Sequence, residues 1–276
     1  MTSQKTTPAT HTSAGAGPPR RRRFGLLRHS LLLAGRSLTK TRRNPGVLGD
    51  AVLLPVIFLL LFVYLFGGAV AGSTHAYLQY IFPGMLVMTT ILSGMMATGV
   101  NLNIDIKKGV FDRFRSLPIG RSAPLLGSIL GDAIRYLLSI AALFAIGFVL
   151  GFRPHRGIVD AVAACLLTVL FGFCLSWAFV LAGVLIKETS AVQSVVVLTM
   201  FPLAFGTNMV APAKTMPGWL QAFVNGNPVT QVVDAARGLL VGGPVAHAVV
   251  SSLAWSAALV AVFAPVSVLV YRRRTY

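Results

Sequence analysis

The chain has 276 residues, of which 55% are hydrophobic and only 11% charged. A water-soluble domain carries about a quarter charged residues, so this composition argues against a soluble enzyme and places the one domain expected at this length in lipid. The net charge of +17 does not point to nucleic acid, because the Lys and Arg cluster at the ends of apolar runs, as membrane topology requires, and not along a phosphate-tracking face.

Residues 1–23 are rich in Thr, Ser, Ala, Gly and Pro and end in Arg20, Arg21, Arg22 and Arg23. They read as a disordered cytosolic tail. They do not read as a secretory signal, since the next apolar stretch is interrupted by Arg28 and His29. Over 24–43, Phe24, Leu27, Leu31, Ala34 and Leu38 share one helical face and Arg36, Lys40 and Arg43 another. That pattern predicts an amphipathic helix lying in the cytoplasmic interface, basic side toward anionic headgroups. Asn44-Pro45-Gly46 ends it, with Asn44 placed to cap the next helix and Pro45 suited to its first position.

Six apolar runs follow, at 47–67, 77–100, 123–150, 158–186, 190–211 and 246–271. Each reaches the ~20 residues that cross ~30 Å of hydrocarbon. The expectation is an all-α polytopic membrane protein with six transmembrane helices, with kink candidates at Pro55 and Pro202. With the N-terminus inside, 19 of the 24 Lys and Arg fall in cytoplasmic segments. The positive-inside rule therefore puts both termini in the cytoplasm. The preference for Arg over Lys suggests a GC-rich bacterial genome, so the membrane expected is a bacterial cell membrane.

The segment 212–245 is too long for a turn and too apolar for a free loop. One short helical stretch starts at Pro217, Asn225-Gly226-Asn227-Pro228 breaks it, and a second runs from Thr230 to Leu240. Two readings stand: an external re-entrant helical hairpin whose backbone ends are covered by protein, or an interfacial loop. Cys165 and Cys174, nine apart in one apolar run, point to opposite helix faces and read as small packing residues. No catalytic constellation occurs: there is no Gly-Lys pair for a phosphate-cradling loop and no HExxH, GxSxG or CxxC. Work against a gradient would therefore draw on another chain or an ion gradient.

The stretch Asn101 to Arg121, NLNIDIKKGVFDRFRSLPIGR, resembles the loop between the second and third spans of type 2 ABC exporter permeases, especially the daunorubicin-resistance branch. FDRFRSLPIGRSAP, Phe111 to Pro124, is the specific part. Arg42 to Val70 is similar to the family's first span, and Pro212 to Gly242 to its external re-entrant region. The resemblance implies that 24–276 is a transmembrane permease domain, that two copies pair, and that two cytosolic ATP-binding subunits hold the ATP and Mg. It implies no cofactor on this chain. The cargo it implies is a hydrophobic small molecule such as an antibiotic or natural product. The same fold could instead export lipid or polysaccharide, and a non-transporting membrane sensor or scaffold is the reading from another class.

Single residues carry further expectations. Asp105, Asp112, Arg113 and Arg115 make the 101–121 loop polar while Phe111, Phe114 and Leu117 give it an apolar edge. Such an amphipathic element can dock in a groove of a cytosolic partner, or it can be a solvated loop that only sets topology. Asp132 and Arg135 lie three apart within the third span and share a face; the pair either ties helices together or lines the transport route. On the second span Phe82, Met85, Thr89, Ser93 and Met96 are expected on one face, and on the fifth Gln193, Val197, Met200, Phe205 and Asn208. Their mix of aromatic, thioether and small polar groups suits amphipathic ligands, and it also suits ordinary helix packing.

Overall fold

A computed structural model describes residues 45–108 and 123–274, with side chains at 53–94, 98–108, 135–271 and 273. The elements are α1 (Pro45–Ala71), α2 (Thr74–Lys107), α3 (Ala123–Leu150), α4 (Ile158–Leu185), α5 (Thr189–Phe205), α6 (Gly218–Gly226), α7 (Pro228–Leu240) and α8 (Ala246–Arg274), with a 3₁₀ turn at Ala213–Thr215. The described residues contain no strand. The expected tail at 1–23 and interfacial helix at 24–43 lie outside them.

Four helices, α1, α2, α4 and α8, are long and apolar enough to cross a bilayer. The part of α3 with described side chains, Arg135–Leu150, is a shorter apolar helix, as is α5. Two boundaries differ from the sequence reading. The fifth span was expected to run to 211, but α5 stops at Phe205 after 17 residues, about 25 Å of helix. Pro202 lies in its last turn, and the chain leaves helical geometry at Gly206. The second span was expected to end at 100, but α2 continues to Lys107, because Leu102 and Asn103 still find buried positions. Its 34 residues reach about 50 Å, well beyond the ~30 Å hydrocarbon layer.

α2 is the central element, packing against α1, α3, α4, α5 and α7. Ser73 starts it, its Oγ accepting from the Ala76 amide at 3.1 Å. Tyr77, Leu78, Ile81, Phe82, Met85, Leu86 and Ile91 from α2 form the middle of the core. In a bilayer such packing is driven by close dispersion contact, since lipid tails are as apolar as the side chains. Gly147 on α3 illustrates the fit: the Phe82 ring occupies the place a Cβ would take there, and it stacks on Phe152 at 3.8 Å. Tyr136 of α3 and Ser176 of α4 join through their hydroxyls at 2.9 Å. α8 packs against α4 and α7, its Ser267 donating to the Trp177 carbonyl.

Candidate functional site

Polar chemistry gathers at the two ends of the bundle. At the end that carries the C-termini of α2, α4 and α8, Asn103 is almost wholly buried, 2% exposed. Its Nδ2 donates to the carbonyls of Gly183 at 3.1 Å and Ile186 at 2.7 Å. Its Oδ1 accepts from the Thr189 hydroxyl at 2.7 Å. The two carbonyls belong to the end of α4, where no further helical N–H can serve them, and Thr189 is the first residue of α5. One turn farther on, Lys107 meets Glu188 at 3.3 Å on the surface. Asp105 is half-buried in the last turn of α2, two residues from each of Asn103 and Lys107 along the sequence.

At the opposite end, Arg237 of α7 sits over the Tyr80 ring, 4.2 Å from its centroid, a cation–π geometry. Its Nη1 donates to Asp234 Oδ1 at 3.0 Å and its Nη2 to the Asn208 carbonyl at 3.1 Å. The Tyr80 hydroxyl donates to that same carbonyl at 2.7 Å, and Asn208 Nδ2 donates to Asp234 at 2.7 Å. Tyr77, one turn before Tyr80, donates to the Val210 carbonyl at 2.9 Å. The start of α2, the strap after α5, and α7 are thereby joined.

Asn227 completes that end. Its Nδ2 faces the carbonyls of Pro202, Leu203 and Gly206 at 3.4, 3.1 and 2.7 Å. Its Oδ1 accepts from the Val229 amide at 2.9 Å, making it the N-cap of α7 with Pro228 in the first turn. A single amide thus closes the C-terminus of α5 and opens α7. Sequence reasoning placed a break at 225–228 and the second helix at Thr230. The break is real, but Asn227-Pro228 is also the cap and first position of α7, which therefore starts at Pro228. The signal was the one read at Asn44-Pro45 and went unused here.

The structure disperses some of the sequence-predicted groups. Phe82, Met85 and Thr89 are fully buried within the core, and the Thr89 hydroxyl donates to the Met85 carbonyl of its own helix. Ser93 is half-buried, and the Met96 side chain lies outside the described residues. The expected common face on α5 does not hold. That helix buries Val192, Val196, Met200 and Ala204, leaves Gln193 and Phe205 exposed, and ends before Asn208, which belongs to the Arg237 cluster. Phe205 turns outward because it lies five residues past Met200, about 140° around the helix. It stacks with Phe201 and meets Phe58 of α1 edge-on. Arg135 is buried on α3, while the Asp132 side chain lies outside the described residues, as do Phe111, Asp112, Arg113, Phe114, Arg115 and Leu117.

The model of the ABC-2 type transporter family matches residues 29–241. The chain belongs to this family. It is 43% identical over 239 residues to the daunorubicin resistance ABC transporter permease protein DrrB1 of Streptomyces coeruleorubidus, covering 87% of this chain and 84% of that one. It is 28% identical over 244 residues to the probable doxorubicin resistance ABC transporter permease protein DrrC of Mycobacterium tuberculosis, covering 88% of each. A putative transport permease, ycf38, of Cyanophora paradoxa is 26% identical over 223 residues, 78% of this chain and 74% of that one. The matched region of the family model takes in both polar ends: Asn103, Thr189, Asn208, Asn227, Asp234 and Arg237 all lie within 29–241. Sequence reasoning missed most of these as a group. Asp234 and Arg237 stand three apart, and Tyr77 and Tyr80 likewise, the spacing that brings side chains together on a helix. That they face each other across two helices needs the fold.

Proposed function

We propose that this permease is the membrane subunit of an exporter that moves hydrophobic small molecules of the antibiotic class outward, driven by a separate ATP-binding chain. The observation that carries this is the 43% identity to a daunorubicin resistance permease over most of both chains. In this reading six helices span the bacterial cell membrane, with α3 and α5 as the third and fifth, and both termini lie in the cytoplasm. The Asn103 end is then cytoplasmic and the Arg237 end external. α6 and α7 form a hairpin dipping into the outer leaflet, and Asn227 covers backbone that lipid could not serve.

Two permeases and two ATP-binding subunits assemble, and ATP and Mg belong to the latter, since this sequence has no phosphate-cradling loop. The cargo route runs between the two permeases, along the face where α5 exposes Gln193, Phe201 and Phe205 and α1 exposes Leu54, Ile57 and Leu61. Phe82, Met85 and Thr89 back that wall from inside the bundle. Asp132 and Arg135 pair within α3 and hold helices together. Residues 101–121 are the coupling segment: Phe111, Phe114 and Leu117 seat in a groove of the ATP-binding subunit and Asp105, Asp112, Arg113 and Arg115 set register, while Asn103 and Lys107 turn to the α4–α5 joint instead.

The test is transport of daunorubicin into inverted vesicles holding the permease and its ATP-binding partner. ATP-dependent uptake is expected, and none in vesicles lacking either chain. Phe111→Ala with Phe114→Ala keeps every charge, so insertion is unaffected, but truncating two apolar anchors at about 2 kcal/mol each removes partner association. Normal co-purification and transport by that variant would reject the coupling role of 101–121. Failure of the intact pair to move any of a panel of amphipathic drugs would reject the cargo class.

A further inference from the structure

We propose that Asn103 is a positioning residue for transport: it makes the C-terminal end of α2 and the start of α5 one body, so that displacement of α2 carries α5 with it. The proposal rests on the reading of 101–121 as the coupling element.

Three contacts one helical turn apart bind the same short piece of chain. Gly99, Asn103 and Lys107 are spaced i, i+4 and i+8 along one face of α2. Gly99 meets Gly183 so closely that a Cβ on Gly183 would lie 2.6 Å from the Gly99 carbonyl oxygen. Asn103 holds the carbonyls of Gly183 and Ile186 and the hydroxyl of Thr189. Lys107 reaches Glu188. All the partners lie within 183–189, where only residues 186–188 separate α4 from α5. α2 is therefore bolted to the joint between two helices, not to either helix alone.

The middle contact sets the register. An apolar side chain at 103 could fill space and tolerate sliding. An amide offers two N–H donors and one carbonyl acceptor in fixed directions, and here both N–H groups and the oxygen are engaged by different backbone or side-chain atoms. A slip of α2 by one residue turns it about 100° and takes the donor from the buried Gly183 carbonyl and the partners from the half-buried Ile186 carbonyl and Thr189 hydroxyl, a loss that is costliest at the buried group. Motion of α2 therefore passes to α5 in preference to being absorbed between them. α5 is gripped at its far end as well, by Asn227, so it is suited to transmit a push along its length.

The experiment uses the full permease with its ATP-binding partner in vesicles and daunorubicin as probe. In a background with Cys165 and Cys174 replaced by Ala, Lys107→Cys and Glu188→Cys are oxidised to a cross-link. If the joint moves as one body, transport persists with the link closed. Arrest on oxidation and recovery on reduction would overturn the proposal, because the two ends must then part during the cycle. Asn103→Leu, of similar volume, is expected to keep partner association and ATP hydrolysis while drug moved per ATP falls about tenfold, the factor that one or two hydrogen bonds carry. Thr189→Val should fall in the same direction by less, and Thr189→Ser should restore coupling. An unchanged ratio in Asn103→Leu, or loss of the partner from it, overturns the proposal. If Asn103→Leu does not accumulate in the membrane, the cross-link decides. Failure of the underlying reading looks different: Phe111→Ala with Phe114→Ala then transports normally while Asn103→Leu is still uncoupled.

Discussion

The two ends of the bundle solve the same problem with different materials. At the Asn103 end one neutral amide joins α2 to the α4–α5 joint, and each of its polar atoms is used. At the Arg237 end a guanidinium, a carboxylate, a tyrosine and two asparagines share the task, and two buried oxygens, Asn208 Oδ1 and Thr230 Oγ1, have no partner. A saturated site has one arrangement of low energy, whereas a network with unserved acceptors has other pairings open to its donors. On the proposed export function, the expectation is that the first end stays closed through the cycle and the second rearranges.

The comparison breaks most visibly at Asn227. Asn227→Ala takes this donor from the Leu203 and Gly206 carbonyls at the end of α5, Pro202 keeping the Gly206 amide, and removes the cap of α7. Together these cost about 3 kcal/mol, read as a fall in thermal unfolding temperature of the detergent-purified protein. Asn227→Asp sharpens the test, since it keeps the acceptor for Val229 and loses the donor. It should be no more stable than Asn227→Ala if serving the α5 carbonyls is the larger role. Recovery of most of the loss by Asp would mean that the cap of α7 dominates.

Arg237→Ala comes next. It removes the cation over Tyr80 and leaves Asp234 with Asn208 Nδ2 but without its cationic partner. A buried pair broken in this way costs several kcal/mol, but the two side chains are 18% and 39% exposed, and solvent screening reduces the figure to about 1–2 kcal/mol. If the Arg237 end rearranges during transport, this variant changes transport rate as well as stability, with Arg237→Lys recovering stability but not the planar stacking. A variant that lowers stability alone, with drug transport per folded molecule unchanged, would assign the cluster to architecture.

How far the sequence discloses this fold depends on whether a feature is local. Helices α3, α4 and α8 begin at the expected residues, because length and apolarity need no knowledge of neighbours. The early stop of α5 and the late stop of α2 were not foreseen, since both are set by tertiary partners: Asn227 for the first, the α4–α5 joint for the second. Nor was it legible which helix is central. In the most apolar 18-residue stretch of α2, 87% of the residues are buried, against 11% in α8. Yet α8 is the more apolar of the two. In lipid the outward helix needs the greasier surface, while the buried one can carry Thr89 and Thr90, whose hydroxyls donate to carbonyls of their own helix, and Asn103, which the end of α4 satisfies. Hydropathy therefore misranks burial in a membrane bundle. The face drawn on α5 differs for a related reason: which of several plausible stripes points inward is decided by the helix opposite, whereas Phe82, Met85 and Thr89 on α2 do share one face and pack in the core.

The smallest expected effect lies at Lys107 and Glu188, and its smallness matters. Their side chains are 44% and 74% exposed, and the ion pair spans 3.3 Å. Water and salt screen such a pair, and ordering two long side chains offsets much of the attraction, so Lys107→Ala should change stability by less than about 1 kcal/mol, with the difference shrinking as salt is raised. The tie between α2 and the α4–α5 joint then resides in Asn103 and the Gly99–Gly183 contact, both buried, and Lys107 only marks where the two surfaces run side by side. That makes the pair a suitable place for paired cysteines, because removing it disturbs little while linking it reports whether the surfaces separate. A salt-independent loss in Lys107→Ala comparable to that in Asn227→Ala would contradict this division. It would move the anchor of the joint from the buried amide to the surface, and the contrast between a saturated end and a spare one would lose its basis.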